Sequence, residues 1–109
     1  MTDKELADRI VALGVGKANQ IYPDGIGRFY QVDIDADWQT SKNSSKFVRD
    51  WRVAGALMEK MDGELLIWRQ AYDNDSPVWI VETHLTNADG RDESLPRAII
   101  EACVEALTS

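Results

Sequence analysis

The sequence predicts a single α/β domain of the α+β kind, with its elements in the order α-β-α-β-β-α. Apolar residues recur at helical spacing in three segments, and in three others they form the alternating or continuous runs of strands. Glycine, proline, asparagine and aspartate cluster between those segments, where turns are expected. The chain has 109 residues, a common size for one hydrophobic core, and shows no internal repeat. We therefore expect one domain, residues 1–109, with a small mixed sheet.

The first elements are a short helix and a strand. A helix is predicted from Thr2 to Leu13, because Thr2 is a good cap and Glu5 stands three residues later in the capping-box position. The periodic pattern breaks over residues 17–27, which are expected to be irregular, and residues 22–25 supply turn chemistry there. Residues 28–35 interleave polar with aromatic and β-branched side chains, which is typical of a half-buried strand. The polar stretch 37–45 is expected to be an exposed loop.

The clearest periodic pattern predicts a helix from about Lys46 to Asp62. Its apolar stripe steps by four, three, four and three residues through Phe47, Trp51, Ala54, Met58 and Met61. Trp51 is therefore expected in the core.

The last third of the chain predicts a hairpin and a helix. Strands are expected at 64–72 and 78–86, and the turn-forming residues 73–77 between them indicate an antiparallel hairpin. Residues 87–90 predict a second turn. A final helix is expected from about Leu95 to Leu107, with Ser94 as its cap and Pro96 in its first turn. Its apolar residues cover more than one side, so we expect it to be largely buried.

Composition excludes several classes of function. Nineteen acidic and twelve basic side chains give a net charge of −7, which argues against nucleic acid or an anionic membrane as a direct partner. No apolar run approaches the ~20 residues that cross a bilayer, and the first residues are polar, so we expect a soluble cytoplasmic protein. The single cysteine, Cys103, allows neither an intramolecular disulfide nor a multi-cysteine zinc site.

Acidic residues and the one histidine do not complete a known catalytic or metal-binding motif. Asp33, Asp35 and Asp37 would share one face of a strand, but their spacing lacks the glycine and the acidic residue of a calcium loop, and residues 73–75 fail the same comparison. His84 has Glu82 two residues away, which indicates a solvent-facing pair on a strand.

Glycine and cysteine residues also favour structural roles. The segments 14–17 and 25–27 lack the remaining residues of phosphate-binding motifs and indicate turns. Cys103 lies within an apolar stripe, where free cysteine behaves as a small hydrophobe. We expect no catalytic, cofactor-binding or metal-ligating residue and no cofactor.

The aromatic residues around the hairpin leave two interpretations open. Trp68 and Trp79 stand on opposite sides of the hairpin turn, with Tyr72 close to it. They either pack in the core as a cross-strand pair, worth up to ~1 kcal/mol, or form an exposed patch on an uncovered sheet face. An exposed patch of Trp68, Tyr72 and Trp79 would favour self-association or binding to a partner protein.

Three segments carry a resemblance to a known family. Residues 6–16, 47–60 and 92–103, the last with its Leu95-Pro96 step, resemble the phage ABA sandwich domain, a family of small phage and prophage proteins. The resemblance implies an αβα layering, a phage or prophage origin and residence in the cytoplasm of a bacterial host. It brings no catalytic residues, and residues 17–45 match no part of it.

Two functional hypotheses follow. The first is a non-enzymatic phage or prophage accessory protein that acts as a homo-oligomer or binds a host protein, in a sharper form as an acidic inhibitor of a host defence protein. The second is a small-ligand binder or enzyme in which Asp33, Asp35, Glu82 and His84 surround a metal or nucleotide. The second hypothesis requires the strand of Asp33 to lie beside the strand of Glu82.

Overall fold

The computed structural model describes residues 1–20, 28–35, 41–61, 63–71, 77–83 and 88–108. Those residues form four helices: α1 Asp3–Ala12, α2 Ser44–Phe47, α3 Trp51–Lys60 and α4 Leu95–Thr108. They also form five strands: β1 Lys17–Gln20, β2 Arg28–Gln31, β3 Leu65–Gln70, β4 Val78–Thr83 and β5 Asp89–Asp92. The predicted α+β class is confirmed, as is the C-terminal hairpin followed by a helix.

The sheets differ from the predicted small mixed sheet. The described strands form two antiparallel sheets, one with the order β1-β2 and one with the order β3-β4-β5. Residues 17–20, predicted as irregular, form β1. Of the second predicted turn at 87–90, residues 89 and 90 begin β5, and residue 87 lies outside the described residues. The strands are antiparallel because short connections join successive members of each sheet, whereas parallel pairing needs a crossover of roughly a dozen residues or more.

The predicted middle helix is divided into α2 and α3 because Asp50 begins a new helix. The Asp50 side chain accepts a hydrogen bond from the Arg52 backbone N–H at 2.8 Å, as an N-cap does. The division shifts the buried face of α3 onto Val53, Ala54 and Leu57. Trp51 is left 57% exposed at the start of α3, so its predicted place in the core is wrong.

Helix α1 begins and ends as its sequence predicts. The Thr2 hydroxyl accepts a hydrogen bond from the Glu5 backbone N–H at 3.1 Å. Gly16, at a φ of 72°, follows the helix where a side chain would not fit, since a Cβ there would lie 2.5 Å from the Gln31 carbonyl oxygen. A Cβ at Gly16 would also crowd the Phe47 ring, which stacks on the Tyr30 ring with centroids 5.1 Å apart.

Helix α4 is largely buried, as its sequence predicts. It contacts β4 and β5 and also packs against α3 and α1. Gly90 permits the approach of β5, because a Cβ at this position would collide with the Ala98 carbonyl oxygen and lie 2.8 Å from the Ala102 nitrogen. Most of the circumference of α4 is buried as a result.

Candidate interaction surface

Strand β3 forms one edge of the three-stranded sheet. It pairs with β4, and no other described strand pairs with its outer side. In this register Trp68 lies opposite Ile80, and Arg69 lies opposite Trp79. The outer side of an edge strand presents a row of backbone N–H and C=O groups that another strand can bond.

Three consecutive apolar residues of β3 are exposed. Leu66 is 48% exposed, Ile67 44% and Trp68 41%. We call these residues the β3 triplet. They make up half of the six large apolar side chains that are exposed in the described part of the chain. Exposed apolar surface is therefore concentrated on this strand, and concentration rather than single exposed residues marks interaction sites.

The triplet reaches both faces of the sheet. Ile67 lies in register with Val81 and, through it, with Gly90, on the face that α4 covers. We call this the helix face. Successive side chains of a strand alternate, so Leu66 and Trp68 lie on the opposite face. We call it the open face, because α4 is the described helix that packs against this sheet and it covers the other side. Ile80 lies on the same face, opposite Trp68, and is only 3% exposed. The apolar side chain on the central strand β4 is therefore buried, whereas its neighbour on the edge strand β3 is exposed.

The two edges of this sheet have opposite chemistry. Three of the four residues of β5 are charged, and natural proteins use charged side chains to prevent strand addition at an edge. In β3, residues 65–68 carry no charge. Arg69 follows them, but its guanidinium carbon lies 5.7 Å from the centre of the Trp79 ring. Among the described residues, β3 is thus the edge with fewer charges to discourage pairing with another strand.

The residues of the predicted aromatic patch do not lie together on one face. Opposite residues of an antiparallel pair share a face, so Trp68 lies on the open face while Trp79 lies on the helix face beside Arg69. Trp79 is half-buried and packs against the core. Tyr72 lies outside the described residues. The sequence feature that indicates this exposed surface is the run of four apolar residues at 65–68. Four successive apolar residues on an edge strand leave some side chains exposed.

The acidic face predicted for the strand at residues 28–35 is absent among the described residues. The strand ends at Gln31, and the Asp35 backbone N–H donates to the Asp33 carboxylate at 3.0 Å in a turn. Aspartate favours this local bond, which competes with strand pairing. The shared strand face predicted for Asp33 and Asp35 is therefore wrong. Asp37 lies outside the described residues.

The geometry required by the small-ligand hypothesis is also not formed. The strand before Asp33 belongs to the two-stranded sheet, whereas Glu82 lies on β4 of the other sheet, opposite Leu66. His84 lies outside the described residues, as do residues 73–75 and 25–27. Among the residues the structure does describe, no group of three or more histidine, cysteine or acidic residues is placed to hold a metal.

The remaining predicted candidates have structural surroundings. Gly14 and Gly16 form the turn after α1, at positive φ. Cys103 is fully buried in α4, and burial raises the pKa of its thiol to about 11. A groove of about 660 Å³ borders the glycine turn, with Asp33, Glu59 and Lys60 as its charged residues. This mixture of charges does not select a ligand.

No family model matches the chain, and neither a curated protein nor a solved structure is significantly similar to it. Within the described residues, no helix is long and apolar enough to span a bilayer.

Proposed function

We propose that this chain is a non-enzymatic protein that acts by self-association, with the outer side of β3 as its contact surface. The observation that supports this function is the β3 triplet, exposed on the less charged edge of the three-stranded sheet that the structure describes. A strand from a second copy would bond the outer backbone groups and bury the triplet at the same time.

The expected strength of the contact sets the range in which it should be measured. Each side chain of the triplet has a little under half of its area left to bury. Full burial of a large apolar side chain is worth roughly 1.5–3 kcal/mol, so each contributes about 1 kcal/mol. Association also costs several kcal/mol of translational and rotational freedom. We therefore expect a reversible complex that forms at micromolar concentrations.

Charge provides a second expectation. Two copies with a net charge of −7 repel each other at long range. The triplet itself is uncharged, so added salt should screen the repulsion without weakening the contact. Association through β3 should therefore strengthen with ionic strength, whereas docking of an acidic chain onto a basic partner would weaken.

The resemblance to the phage ABA sandwich domain supports the setting of this activity. We place it among phage or prophage accessory proteins that work in a bacterial cytoplasm. A host protein that adds its own strand to β3 is the alternative occupant, and a chain that stays monomeric alone would favour it. The small-ligand hypothesis is not carried further, since Asp33 and Glu82 lie in separate sheets.

Sedimentation equilibrium over about 1–200 µM tests the proposal. The wild type should associate reversibly, and Ile67→Lys should be monomeric because it places a charge on the edge. Ile34→Lys is the matched control, since Ile34 is 60% exposed but lies in the turn after β2. It should associate as the wild type does. A wild type that remains monomeric throughout, or equal association of both variants, would overturn self-association through β3.

A further inference from the structure

The second copy is held in one particular register. On the basis of the proposed self-association, we propose that two β3 strands pair antiparallel about a two-fold axis at Ile67. The pairing would join the two sheets into one of six strands, in the order β5-β4-β3-β3-β4-β5. Ile67 of each copy would then lie opposite Ile67 of the other.

Symmetry restricts the possible registers. A two-fold axis between antiparallel strands of one sheet stands perpendicular to that sheet, so each side chain keeps its face. Residues that oppose each other must share a face, so the axis has to coincide with one residue of β3. Because β3 spans Leu65–Gln70, axes at Ile67 or Trp68 pair most of the strand.

The apolar residues select Ile67 among these axes. With the axis at Ile67, Leu66 lies opposite the second Trp68 on the open face, and the two Ile67 side chains meet on the helix face. Every member of the β3 triplet then pairs with an apolar residue. An axis at Trp68 would set Ile67 against Arg69 and Leu66 against Gln70. An axis at Leu66 would set Trp68 against Glu64, so both alternatives leave members of the β3 triplet opposite polar residues. The Ile67 axis leaves only Leu65, outside the triplet, opposite a charged residue, Arg69.

The charges flanking the triplet favour the antiparallel direction. Glu64 precedes β3 and Arg69 lies near its end. Antiparallel pairing about Ile67 sets Glu64 of one copy opposite Gln70 of the other and Arg69 opposite Leu65, so that no like charges oppose each other. Parallel pairing in register would set Glu64 against Glu64 and Arg69 against Arg69, and like charges directly opposite are destabilising.

Single-cysteine variants test the register. Opposite residues of an antiparallel pair have Cα atoms about 4.5–5.5 Å apart, within the range of a disulfide, whereas positions displaced by two residues are about 7–8 Å apart. Ile67→Cys should therefore cross-link with itself at least about tenfold faster than Leu66→Cys or Trp68→Cys, because its effective concentration is higher. The native Cys103 is fully buried, so the wild type should not cross-link.

A mixture of variants gives a complementary result. Leu66→Cys mixed with Trp68→Cys should form the mixed disulfide faster than either variant alone, and intact mass under non-reducing conditions identifies it. Ile34→Cys gives the rate for random collisions, since Ile34 is exposed away from β3.

The outcomes separate the register from the proposed function. Fastest cross-linking at Leu66→Cys or Trp68→Cys, in a chain that sedimentation shows to be dimeric, would overturn the Ile67 axis and keep self-association. Rates at all three positions no higher than for Ile34→Cys, again with a dimer present, would overturn pairing through β3. A monomeric wild type would overturn both the register and the function.

Discussion

The guanidinium of Arg97 in α4 donates from Nε to the carboxylate of Asp3 at the start of α1, at 2.8 Å and across 94 residues of chain. The same side chain reaches Asp92 at 3.2 Å, Glu101 at 2.8 Å and the Met1 carbonyl oxygen at 2.9 Å. Arg97 is only 7% exposed. One buried cation thus joins the N-terminal residues, the end of β5 and α4, and fixes the sheet that carries the β3 triplet.

Replacing Arg97 should be strongly destabilising. Arg97→Met leaves three partly buried carboxylates near each other without their shared cation, which should lower the free energy of unfolding by about 3 kcal/mol. Arg28→Met is the control, because Arg28 makes one exposed ion pair with Asp8 at 2.8 Å, and its loss should be much less destabilising than the loss of Arg97. Urea denaturation measures both values. Equal losses would show that the buried cluster contributes no more than a surface pair.

Acid should weaken the fold through Asp3. Burial alone would raise the pKa of this carboxyl, but hydrogen bonds from Arg97 and Arg49 outweigh it and hold the pKa below the ordinary value of 3.8. Its contribution to stability is therefore complete above pH 3.8 and is lost as the pH falls through the lower folded value. As the pH falls below about 4, Asp3→Asn should therefore lose less unfolding free energy than the wild type. Parallel acid dependence of the two proteins would contradict this.

Alkali should act through Tyr30. Burial, together with a 2.7 Å hydrogen bond from its hydroxyl to Asp8, raises the pKa of Tyr30 to about 12. Because the pKa is raised in the folded state, the protonated hydroxyl of Tyr30 stabilises the fold. This stabilisation is complete below the ordinary pKa of 10 and is lost as the pH rises towards 12. The free energy of unfolding should therefore fall less in Tyr30→Phe than in the wild type above about pH 10. Absorbance at high pH should show a late tyrosine titration that the variant lacks.

Two glycine substitutions should change stability in opposite directions. Gly90→Ala places a Cβ against the Ala98 carbonyl oxygen of α4, so β5 must move away at a cost of about 3 kcal/mol or more. Gly55→Ala adds a Cβ within α3 that meets no atom within 4 Å, and should stabilise the chain by about 0.5–1 kcal/mol. Thermal and urea unfolding report both. A tolerated Gly90→Ala would contradict the close packing of β5 on α4.

The two aromatic residues of the predicted middle stripe should differ in their effect. Phe47 is fully buried, and Phe47→Ala should cost roughly 3–5 kcal/mol. Trp51 is 57% exposed, and Trp51→Ser should change the free energy of unfolding by no more than about 0.5 kcal/mol. Similar losses of unfolding free energy in the two variants would show that Trp51 is buried in the core and would contradict the division of the helix at Asp50.

Local chemistry decided the features that the sequence predicts correctly. Each of these features follows from residues that are close together in the sequence. They are the Thr2 cap, the glycine turn after α1, the hairpin before α4 and the burial of Cys103. The N-cap at Asp50 is equally local, but the continuous apolar stripe on either side of it concealed the break.

What the sequence by itself determined is the α+β class and the type of most elements, because caps, turns and periodicity act over a few residues. Only the tertiary structure decided which residues share a face and which strand lies at an edge. The register set Trp68 opposite Ile80 rather than beside Trp79, and the packing of α4 on one side of the sheet left β3 at the margin. Register and edge position depend on contacts between distant segments, and the alternation of apolar residues along one strand does not encode them.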